Sequence, residues 1–354
     1  MAHDDVALLG YGRFGRALGQ VLVEAGVPYR AYDPIAPVPS SVRVLSLEHL
    51  TQGASFVVVA VPVPRMRQAL IDLRPYLDPG QVVLDVGSVK VRPANALDEV
   101  LGDAIPWCAT HPLFGPVSLA LAERPLRVVI CPARQHPAAA ARVRALYERI
   151  GCEVIEQTPE GHDRVMAHTH ALTFFVAKGM IDAGAGMEVP FAPPSFQALS
   201  RTIETVRSDG GHLFAAIARD NPFAAEARKE LVQALGAIDR ALDARAAEGD
   251  AAPTDATSFA IPGLGEGSPE LKQTREHIDA VDRAIVNLLA QRSQLQERAA
   301  RAKAALGAPV LDGAREAEVL GTRRTWAQEL KLDVEGVADV FRAVLTMSRR
   351  GQRP

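Results

Sequence analysis

The stretch that decides the fold is Val6–Gly15, VALLGYGRFG, in which a short apolar run leads into three glycines. The run predicts a buried β-strand, and the glycines predict a tight turn that opens a helix. In such a turn Gly10 permits the sharp bend, Gly12 lets the backbone approach a diphosphate, and Gly15 lets the helix pack closely on the strand. The pattern indicates a dinucleotide-binding unit.

An acidic residue follows at the distance that such a unit requires. A second predicted strand, Tyr29–Tyr32, ends at Asp33, about twenty residues after the glycines. A carboxylate at this place binds the ribose hydroxyls of NAD and repels the 2′-phosphate of NADP. Asp33 therefore favours NAD, although Arg13 and Arg30 could serve NADP instead. The residues expected to contact the cofactor are Gly10, Gly12, Arg13, Phe14, Gly15, Asp33, Val61 and Pro62.

The pattern around this unit predicts several domains. Apolar runs alternate with helical patterns from Val6 to about Val154, which predicts a Rossmann-type, doubly wound α/β domain over 1–158. An all-α segment is expected over 159–247, then a linker rich in Gly, Pro and acid over 248–269, and a three-helix all-α domain over 270–354. The buried parallel strands are predicted at Val6–Leu9, Tyr29–Tyr32, Phe56–Val61, Val82–Val86 and Val128–Cys131.

The composition disfavours several classes of partner. The 354 residues carry a formal net charge of −3, and no basic tract favours nucleic acid. No apolar run reaches membrane-spanning length, and the acidic N-terminus MAHDDVALLG does not resemble a signal peptide. The three cysteines have no metal-ligand spacing, so we expect no metal and a reduced cytoplasmic location.

Polar residues follow the strands at the edge where doubly wound sheets bind ligands. Ser88 and Lys90 come after Val82–Val86, and His111 follows the run Trp107–Ala109. Histidine accepts or shares a proton near neutral pH, and the proline after His111 restricts its backbone. We expect all three near the reactive end of the cofactor. Position alone leaves open that Lys90 is a solvated helix start and that His111 is structural.

Four strings carry a resemblance: GYGRFG at 10–15, DVGSVK at 85–90, HPLFGP at 111–116 and EGHDRVMAH at 160–168. They resemble the bacterial prephenate dehydrogenases, and the resemblance covers residues 6–242. It implies that His111 is the catalytic histidine that engages the ring hydroxyl and that Ser88 supports it. It also implies that the segment over 159–247 serves substrate binding and dimerisation.

Two departures from the family pattern fall in the expected substrate pocket. Where the family has MAxxQALxHF this chain reads MAHTHALTFF, so His170 replaces the glutamine and Phe174 replaces the second histidine. The family's arginine for a substrate carboxylate aligns with Ala215 or Phe223. The cations that could replace this arginine are Arg201, Arg207, Arg219 and Arg228.

The last segment combines cations with helical periodicity. On a continuous helix, at about 100° per residue, Arg292 and Lys303 share a face, whereas Arg275 points elsewhere and could serve a neighbouring subunit. Charge alone favours a solvated three-helix domain with surface ion pairs. An apolar stripe recurs at helical spacing through Ile278, Val281, Ile285, Leu288, Leu289 and Leu295.

The strings LKQTREHIDAVDRAIVNLLAQRSQL, AKAALGAPVLDGAREAEVL and MSRRGQ resemble the all-helical chorismate mutases over 271–352. This resemblance implies that substrate carboxylates are bound by Arg292 and Arg315 of one chain and by Arg275 of the partner subunit. It implies that Lys303 and Gln352 bind the ether oxygen and that Glu316 binds the ring hydroxyl. Asp312 and Ser348 would complete the pocket.

Together the two resemblances imply a homodimeric, bifunctional enzyme of tyrosine synthesis. It would rearrange chorismate to prephenate and then oxidise prephenate with NAD to 4-hydroxyphenylpyruvate. The substitutions at His170 and Phe174 leave open the 4-amino-4-deoxy analogues as substrates of both reactions. The unmatched arginine leaves open a third interpretation, in which the first domain is a degenerate NAD-binding sensor attached to an active mutase.

Overall fold

The computed structural model describes residues 5–120, 124–185, 212–248, 270–305 and 313–350, together with residues 193, 196, 199–200, 202–204 and 206. The chain divides into two compact units. The first comprises residues 1–116 and 125–254, and the second comprises residues 117–124 and 255–354. The predicted linker lies outside the described residues beyond Glu248.

One sheet organises the first unit. Within the described residues it has seven strands in the order β2-β1-β3-β4-β5-β6-β7, and β1 to β5 are parallel. Because the chain leaves β1 for one side of the sheet and continues at β3 on the other, the topological switch lies between β1 and β3. The strands are β1 Val6–Leu9, β2 Tyr29–Tyr32, β3 Phe56–Val59, β4 Val82–Asp85, β5 Trp107–Pro112, β6 Leu126–Pro132 and β7 Cys152–Glu156.

Helices alternate with these strands, which confirms the predicted Rossmann-type architecture. Strands β1, β3 and β4 are buried at every position, as parallel strands covered on both faces require. The helices are α1 Arg13–Glu24, α2 Leu47–Thr51, α3 Val63–Leu73, α4 Val91–Leu101, α5 Pro116–Ala120 and α6 Pro137–Arg149.

Strands β5 and β6 differ from the predicted strands in extent and direction. Strand β6 runs antiparallel to β5, with His111 opposite Val129, and β5 extends to Pro112, so His111 lies within the strand rather than after it. Helix α5 between them is about 7.5 Å long, whereas a parallel crossover has to retrace a strand of about 20 Å. Strand β7 was not predicted because CEVIE mixes polar and apolar residues and is mostly not buried.

The described residues of the first unit beyond β7 are mostly helical, as predicted. A π-helical turn, Ala167–Ala171, joins the helix that ends at Met166 to the helix that begins at Leu172. Such a turn accommodates one residue more than an α-helical turn. Positions 162 and 170 would be about 80° apart on an unbroken α-helix, and the extra residue reduces this to about 20°. The helices are α7 Pro159–Met166, α8 Leu172–Asp182, α9 His212–Asp220 and α10 Ala224–Glu248.

The second unit contains a long helix, α11 Glu270–Ala305, and two shorter ones, α12 Gly313–Glu329 and α13 Val334–Arg350. Helix α11 is continuous over 36 residues, as the predicted shared face of positions 292 and 303 requires. It is about 54 Å long at 1.5 Å per residue. Four residues of its apolar stripe, Val281, Ile285, Leu288 and Leu295, are exposed in the single chain, from 43% at Leu295 to 61% at Leu288.

Candidate active sites

The glycine turn at the switch between β1 and β3 has the geometry of a diphosphate cradle. Gly10 has a φ of +100°, and a Cβ there would lie 2.4 Å from the carbonyl oxygen of Ala60. A Cβ on Gly15 would lie 2.2 Å from the carbonyl oxygen of Gly10. Gly12, the N-cap of α1, has none of the described atoms within 4 Å of its Cβ position. The backbone therefore excludes side chains at Gly10 and Gly15, and leaves open space at Gly12.

The carboxylate of Asp33 is fixed beside this cradle by backbone groups. Its Oδ2 accepts from the N–H of Tyr11 at 2.7 Å, and its Oδ1 accepts from Ile35 at 2.8 Å and Ala36 at 2.7 Å. Burial opposes ionisation, but these hydrogen bonds and the charge of Arg16 outweigh it and lower the pKa of Asp33. The predicted ribose ligand is an anchored, ionised carboxylate.

Of the two arginines that could serve NADP, Arg30 is engaged elsewhere. Its guanidinium pairs with Asp5 and donates to the backbone carbonyls of Gln52 at 2.7 Å and His49 at 3.3 Å. Because Asp5 precedes β1, this pair lies at the amino end of the strands, away from the cradle. The prediction that Arg30 could bind the cofactor is wrong, and Arg13 stays an exposed candidate in the first turn of α1.

The other predicted cofactor residues surround the same turn. Val61 and Pro62 follow β3, and the Val61 side chain lies 3.4 Å from the Cβ position of Gly10. The ring of Phe14, on α1, lies 5.8 Å from that of Phe114, which follows β5. The first turn of α1 is therefore in contact with the HPLFGP string that carries His111.

His111 is the first member of a buried hydrogen-bonded chain. It is 4% exposed, and its Nδ1 lies 2.8 Å from Nε2 of His162 on α7. Nδ1 of His162 lies 2.8 Å from Oδ1 of Asp163. The Asp163 carboxylate also accepts from the backbone N–H groups of Lys90 at 2.7 Å and Val91 at 2.9 Å. We call His111, His162 and Asp163 the histidine series; sequence reasoning quoted the last two only as part of a motif.

The surroundings keep His111 uncharged. Burial, and after it the electrostatic repulsion that an imidazolium would meet from His162, Lys90 and His170, lowers the pKa of His111 well below its ordinary value. The ring of His170 stacks on that of His111 with centroids 6.4 Å apart and planes at 12°. Burial and His162 also lower the pKa of His170. At neutral pH His111 is therefore a neutral imidazole with a lone pair on one ring nitrogen.

Lys90 is not the solvated helix start that the sequence left open. It is fully buried, and its ammonium donates to the carboxylate of Asp85 and to the carbonyl of Thr110. Its side chain therefore does not face solvent. The backbone N–H of Thr110 also donates to Asp85 at 3.0 Å, so Lys90 ties the ends of β4 and β5 together beside His111. Ser88 lies half-buried in the connection after β4, at the same edge of the sheet.

The two positions that depart from the family pattern lie together next to His111. The ring of His170 meets that of Phe174 edge to face with centroids 5.1 Å apart, and Phe174 stacks on Phe214 at 6.4 Å. The π-helical turn places His162 and His170 on one face of the helix, so both rings reach His111. The predicted substrate residue His170 is thus part of the site.

The described candidates for the unmatched arginine have other contacts. Arg228 donates to the carbonyl of Ala218 at 2.9 Å, and Arg219 lies 3.4 Å from the buried carboxylate of Asp220. At Phe223 itself, the guanidinium of Arg164 lies 4.1 Å above the ring. Arg201 and Arg207 lie outside the described residues.

The second unit brings two predicted mutase residues together. The guanidinium of Arg292 donates to Oγ of Ser348 at 2.8 Å and to Oε1 of Gln296 at 2.8 Å. Oγ of Ser348 also donates to Gln296. Burial, and then the charge of Arg323, lowers the pKa of Arg292. Gln296 is a neighbour that sequence reasoning missed, because a single glutamine on a helix carries no signal of its own.

Of the other residues predicted for the mutase site, only Glu316 has a described side chain. Glu316 lies 3.6 Å from the guanidinium of Arg349. Asp312 and Gln352 lie outside the described residues, and so do the side chains of Arg275, Lys303 and Arg315. In the part of the chain that is described, no cluster of His, Cys, Asp and Glu could hold a metal ion. None of the described helices is long and apolar enough to cross a membrane.

Comparison with known families agrees with this geometry. Residues 44–156 match the prephenate dehydrogenase nucleotide-binding domain, and residues 274–353 match type II chorismate mutase. The chain joins a prephenate dehydrogenase domain to a chorismate mutase domain. The predicted resemblance to both families is confirmed over these two ranges of residues.

Individual relatives cover different parts of the chain. A probable arogenate/prephenate dehydrogenase of Methanocaldococcus jannaschii is 27% identical over 177 residues, which is 47% of this chain and 39% of that protein. The 4-amino-4-deoxyprephenate dehydrogenase of Streptomyces pristinaespiralis is 29% identical over 288 residues, 76% of this chain and 93% of that protein.

A solved structure shows that the fold is shared. The prephenate dehydrogenase from A. aeolicus, in complex with hydroxyphenyl propionate and NAD+, is 21% identical and superposes with a TM-score of 0.56. The match covers 71% of this chain and 94% of that chain.

Proposed function

We propose that the second unit rearranges chorismate to prephenate and that the first unit converts prephenate with NAD to 4-hydroxyphenylpyruvate, in tyrosine synthesis. The observation that carries this proposal is the buried, neutral His111 at the carboxyl end of β5, beside a glycine cradle and an anchored Asp33. The three described cysteines are buried and form no disulfide, which supports a cytoplasmic location.

The cradle fits a dinucleotide, because side chains are excluded at Gly10 and Gly15 while Gly12 leaves open space for a diphosphate. Bound there, NAD would supply the acceptor for the hydride on the ring carbon that bears the hydroxyl. Asp33 would hold the ribose hydroxyls. We propose NAD rather than NADP because this carboxylate is ionised and Arg30 is tied to Asp5.

His111 would act on the hydroxyl of the substrate. Its Nδ1 faces His162, so Nε2 is the nitrogen left for the substrate. As the hydride leaves, positive charge grows on the carbon–oxygen unit, and Nε2 stabilises it by accepting the hydroxyl proton. The bond to the ring carboxylate breaks, its electron pair enters the ring, and carbon dioxide leaves. The proton returns to the phenol oxygen, so no net proton is released.

The mutase reaction would need no nucleophile. Arginines on the helices would fold the dianion of chorismate into its reactive conformation. Lys303 would stabilise the charge that grows on the ether oxygen. Among the described residues, Arg292 and Ser348 are already in contact and half-buried, which supports a shared role in holding one carboxylate.

We also propose a homodimer. Four residues of the apolar stripe on α11 are exposed in the single chain, although a helix this long is stable only when its apolar face is packed. The offset of position 275 from positions 292 and 303 supports a mutase site completed by Arg275 of the partner subunit.

A second substrate series has its own support. His170 and Phe174 form an aromatic wall beside His111 where the family has glutamine and histidine, and a relative covered over 93% of its length is named for the 4-amino-4-deoxy substrate. Steady-state rates with prephenate, arogenate and 4-amino-4-deoxyprephenate, each with NAD, separate the possibilities. We expect the highest kcat/KM for prephenate; a preference for the amino compound would assign the chain to that series.

The same measurement tests the sensor interpretation, which the unmatched arginine motivates. A chain that binds NAD and rearranges chorismate, but oxidises none of the three dehydrogenase substrates, would have a regulatory first unit.

A further inference from the structure

The histidine series is anchored at one end by an acceptor whose state is fixed. Both oxygens of Asp163 receive backbone N–H groups from the first turn of α4, where the helix dipole also favours negative charge. Asn221 donates to the backbone carbonyl of Asp163 at 2.7 Å, which holds the residue in place. Asp163 is therefore an ionised acceptor in a fully buried position.

From that end, the protons of the series can be placed one contact at a time. Because Asp163 only accepts, Nδ1 of His162 donates to it, and a neutral His162 then has its lone pair on Nε2. The Nε2 of His162 faces Nδ1 of His111, so Nδ1 of His111 donates. A neutral His111 therefore has its lone pair on Nε2. In the reverse order the ionised carboxylate would face a second acceptor.

We propose that His162 and Asp163 are positioning residues that fix His111 in the tautomer with an unprotonated Nε2. The proposal rests on the proposed dehydrogenase function and deepens it, since only this tautomer can accept the proton of a substrate hydroxyl. The other tautomer presents an N–H to that hydroxyl and cannot act as a base.

Asp163→Asn tests the order of the protons. Oδ1 of Asp163 faces both the N–H of Lys90 and Nδ1 of His162, and Oδ2 faces the N–H of Val91, so either orientation of the asparagine amide leaves one of the two N–H groups without an acceptor. When the NH₂ group takes the place of Oδ1, it donates to Nδ1 of His162. His162 then carries its proton on Nε2 and donates to His111, which places the remaining proton of His111 on Nε2. With its oxygen at the Oδ1 position instead, the asparagine keeps the wild-type order, so the variant should contain both tautomers of His111. We expect the dehydrogenase kcat to fall with the fraction of His111 protonated on Nε2, by about tenfold, with little change in the KM for prephenate.

Asp220→Asn is the matched control. Asp220 is equally buried and accepts from Arg92 at 2.8 Å, but it lies outside the histidine series. We expect this variant to keep its dehydrogenase kcat within about threefold, as substitutions outside the reacting groups do. An equal loss of dehydrogenase kcat in both variants would show that the fold needs each of these buried carboxylates, and would overturn the positioning role of Asp163.

The ring nitrogens can be observed directly in the full chain. With ¹⁵N-labelled histidine, wild type should show His111 protonated on Nδ1, and Asp163→Asn should show a population of His111 protonated on Nε2. His162→Gln, which cannot link His111 to Asp163, should show a mixture of the two tautomers. Wild-type His111 protonated on Nε2 would overturn the inference.

This measurement separates the inference from the proposed function. It reports the tautomer even in a chain that oxidises no substrate. Wild type with His111 protonated on Nδ1 and no dehydrogenase turnover would contradict the proposed function and leave the series assigned.

Discussion

The histidine series of the first unit and the Arg292 cluster of the second unit hold their key groups in different ways. In the series, the carboxylate of Asp163 is fixed by backbone N–H groups and all three side chains are buried. In the cluster, Arg292 is half-buried and its partners Gln296 and Ser348 are neutral side chains. One arrangement has little freedom to change, and the other can exchange its partners.

The difference follows from the chemistry that each site is proposed to perform. A base must present one particular lone pair, so its proton positions have to be set before the substrate arrives. A cation that binds a carboxylate has no such requirement, but it must be able to release its present partners. Ser348 and Gln296 carry no charge, so a substrate carboxylate can displace them from Arg292 without first breaking an ion pair.

The largest effect should come from His111→Asn. Removal of the base should lower the dehydrogenase kcat by about 10²–10⁴-fold while NAD affinity and mutase activity stay unchanged. Parallel assays of both activities on one preparation check this. An unchanged dehydrogenase kcat would remove His111 from the mechanism, and a loss of both activities would show that the two sites are not independent.

The next effect concerns the proposed sharing of the mutase site. Arg275→Ala and Lys303→Ala should each lower mutase activity by about 10²–10³-fold as homodimers, because each removes a preorganised cation. Refolded together, they should recover about a quarter of wild-type activity, since half of the dimers are mixed and each holds one intact site. No recovery, with subunit exchange demonstrated, would place Arg275 in the site of its own chain or outside catalysis.

Asp33 extends the comparison to a second backbone-anchored carboxylate. Asp33→Ser removes the charge that would repel a 2′-phosphate, so the preference for NAD over NADP should narrow by about tenfold. The measurement is the ratio of kcat/KM for the two cofactors in wild type and variant. Comparable values already in wild type would show that Arg13 outweighs Asp33.

A smaller effect is expected when a charge is placed beside Arg292. In Gln296→Glu the new carboxylate pairs with Arg292 and competes with the substrate, so the KM for chorismate should rise about fivefold at neutral pH. Protonation makes the glutamic acid resemble glutamine, so the KM should recover as the pH falls. Gln296→Ala is the neutral control, and an equal, pH-independent rise in both variants would mean that Gln296 acts only through packing.

The pH dependence of the dehydrogenase activity should reflect the lowered pKa of His111. The folded-state pKa of His111 is lowered, so the neutral base persists below the ordinary histidine value of about 6.5 and is lost only as the pH falls through the lowered value. The groups that face it are His162, His170, Lys90 and Asp163. The dehydrogenase kcat/KM should therefore stay level through pH 6.5. A decline centred at or above that pH would contradict the shift.

What the sequence predicted well was encoded locally. The turn at Gly10–Gly15 and the spacing to Asp33 depend on residues close in the chain, and the structure has them as expected. The predicted parallel direction of β6 was wrong, because an apolar run such as Val128–Cys131 has the same pattern in a parallel and an antiparallel strand. Strand direction depends on the connection, whose short helix was not recognised.

What the sequence did not predict depends on distant partners. Lys90 is buried because Asp85 and the carbonyl of Thr110 enclose its ammonium, and Arg30 is occupied because Asp5 lies beside it. The contact between His111 and His162 joins residues 51 positions apart. Such pairings are decided by tertiary packing, so no spacing rule within a single segment could reveal them.

The π-helical turn over Ala167–Ala171 divides one helix into two parts that can change separately. Deletion of one residue within the turn would restore α-helical spacing and rotate everything after it by about 100°. His170 and Phe174 would leave the pocket wall, while His162 and Asp163, which precede the turn, would keep their positions. A change in the length of this gene by a single codon could therefore alter which ring the pocket accepts without touching the base, a route to new substrates that no exchange of one residue type for another provides.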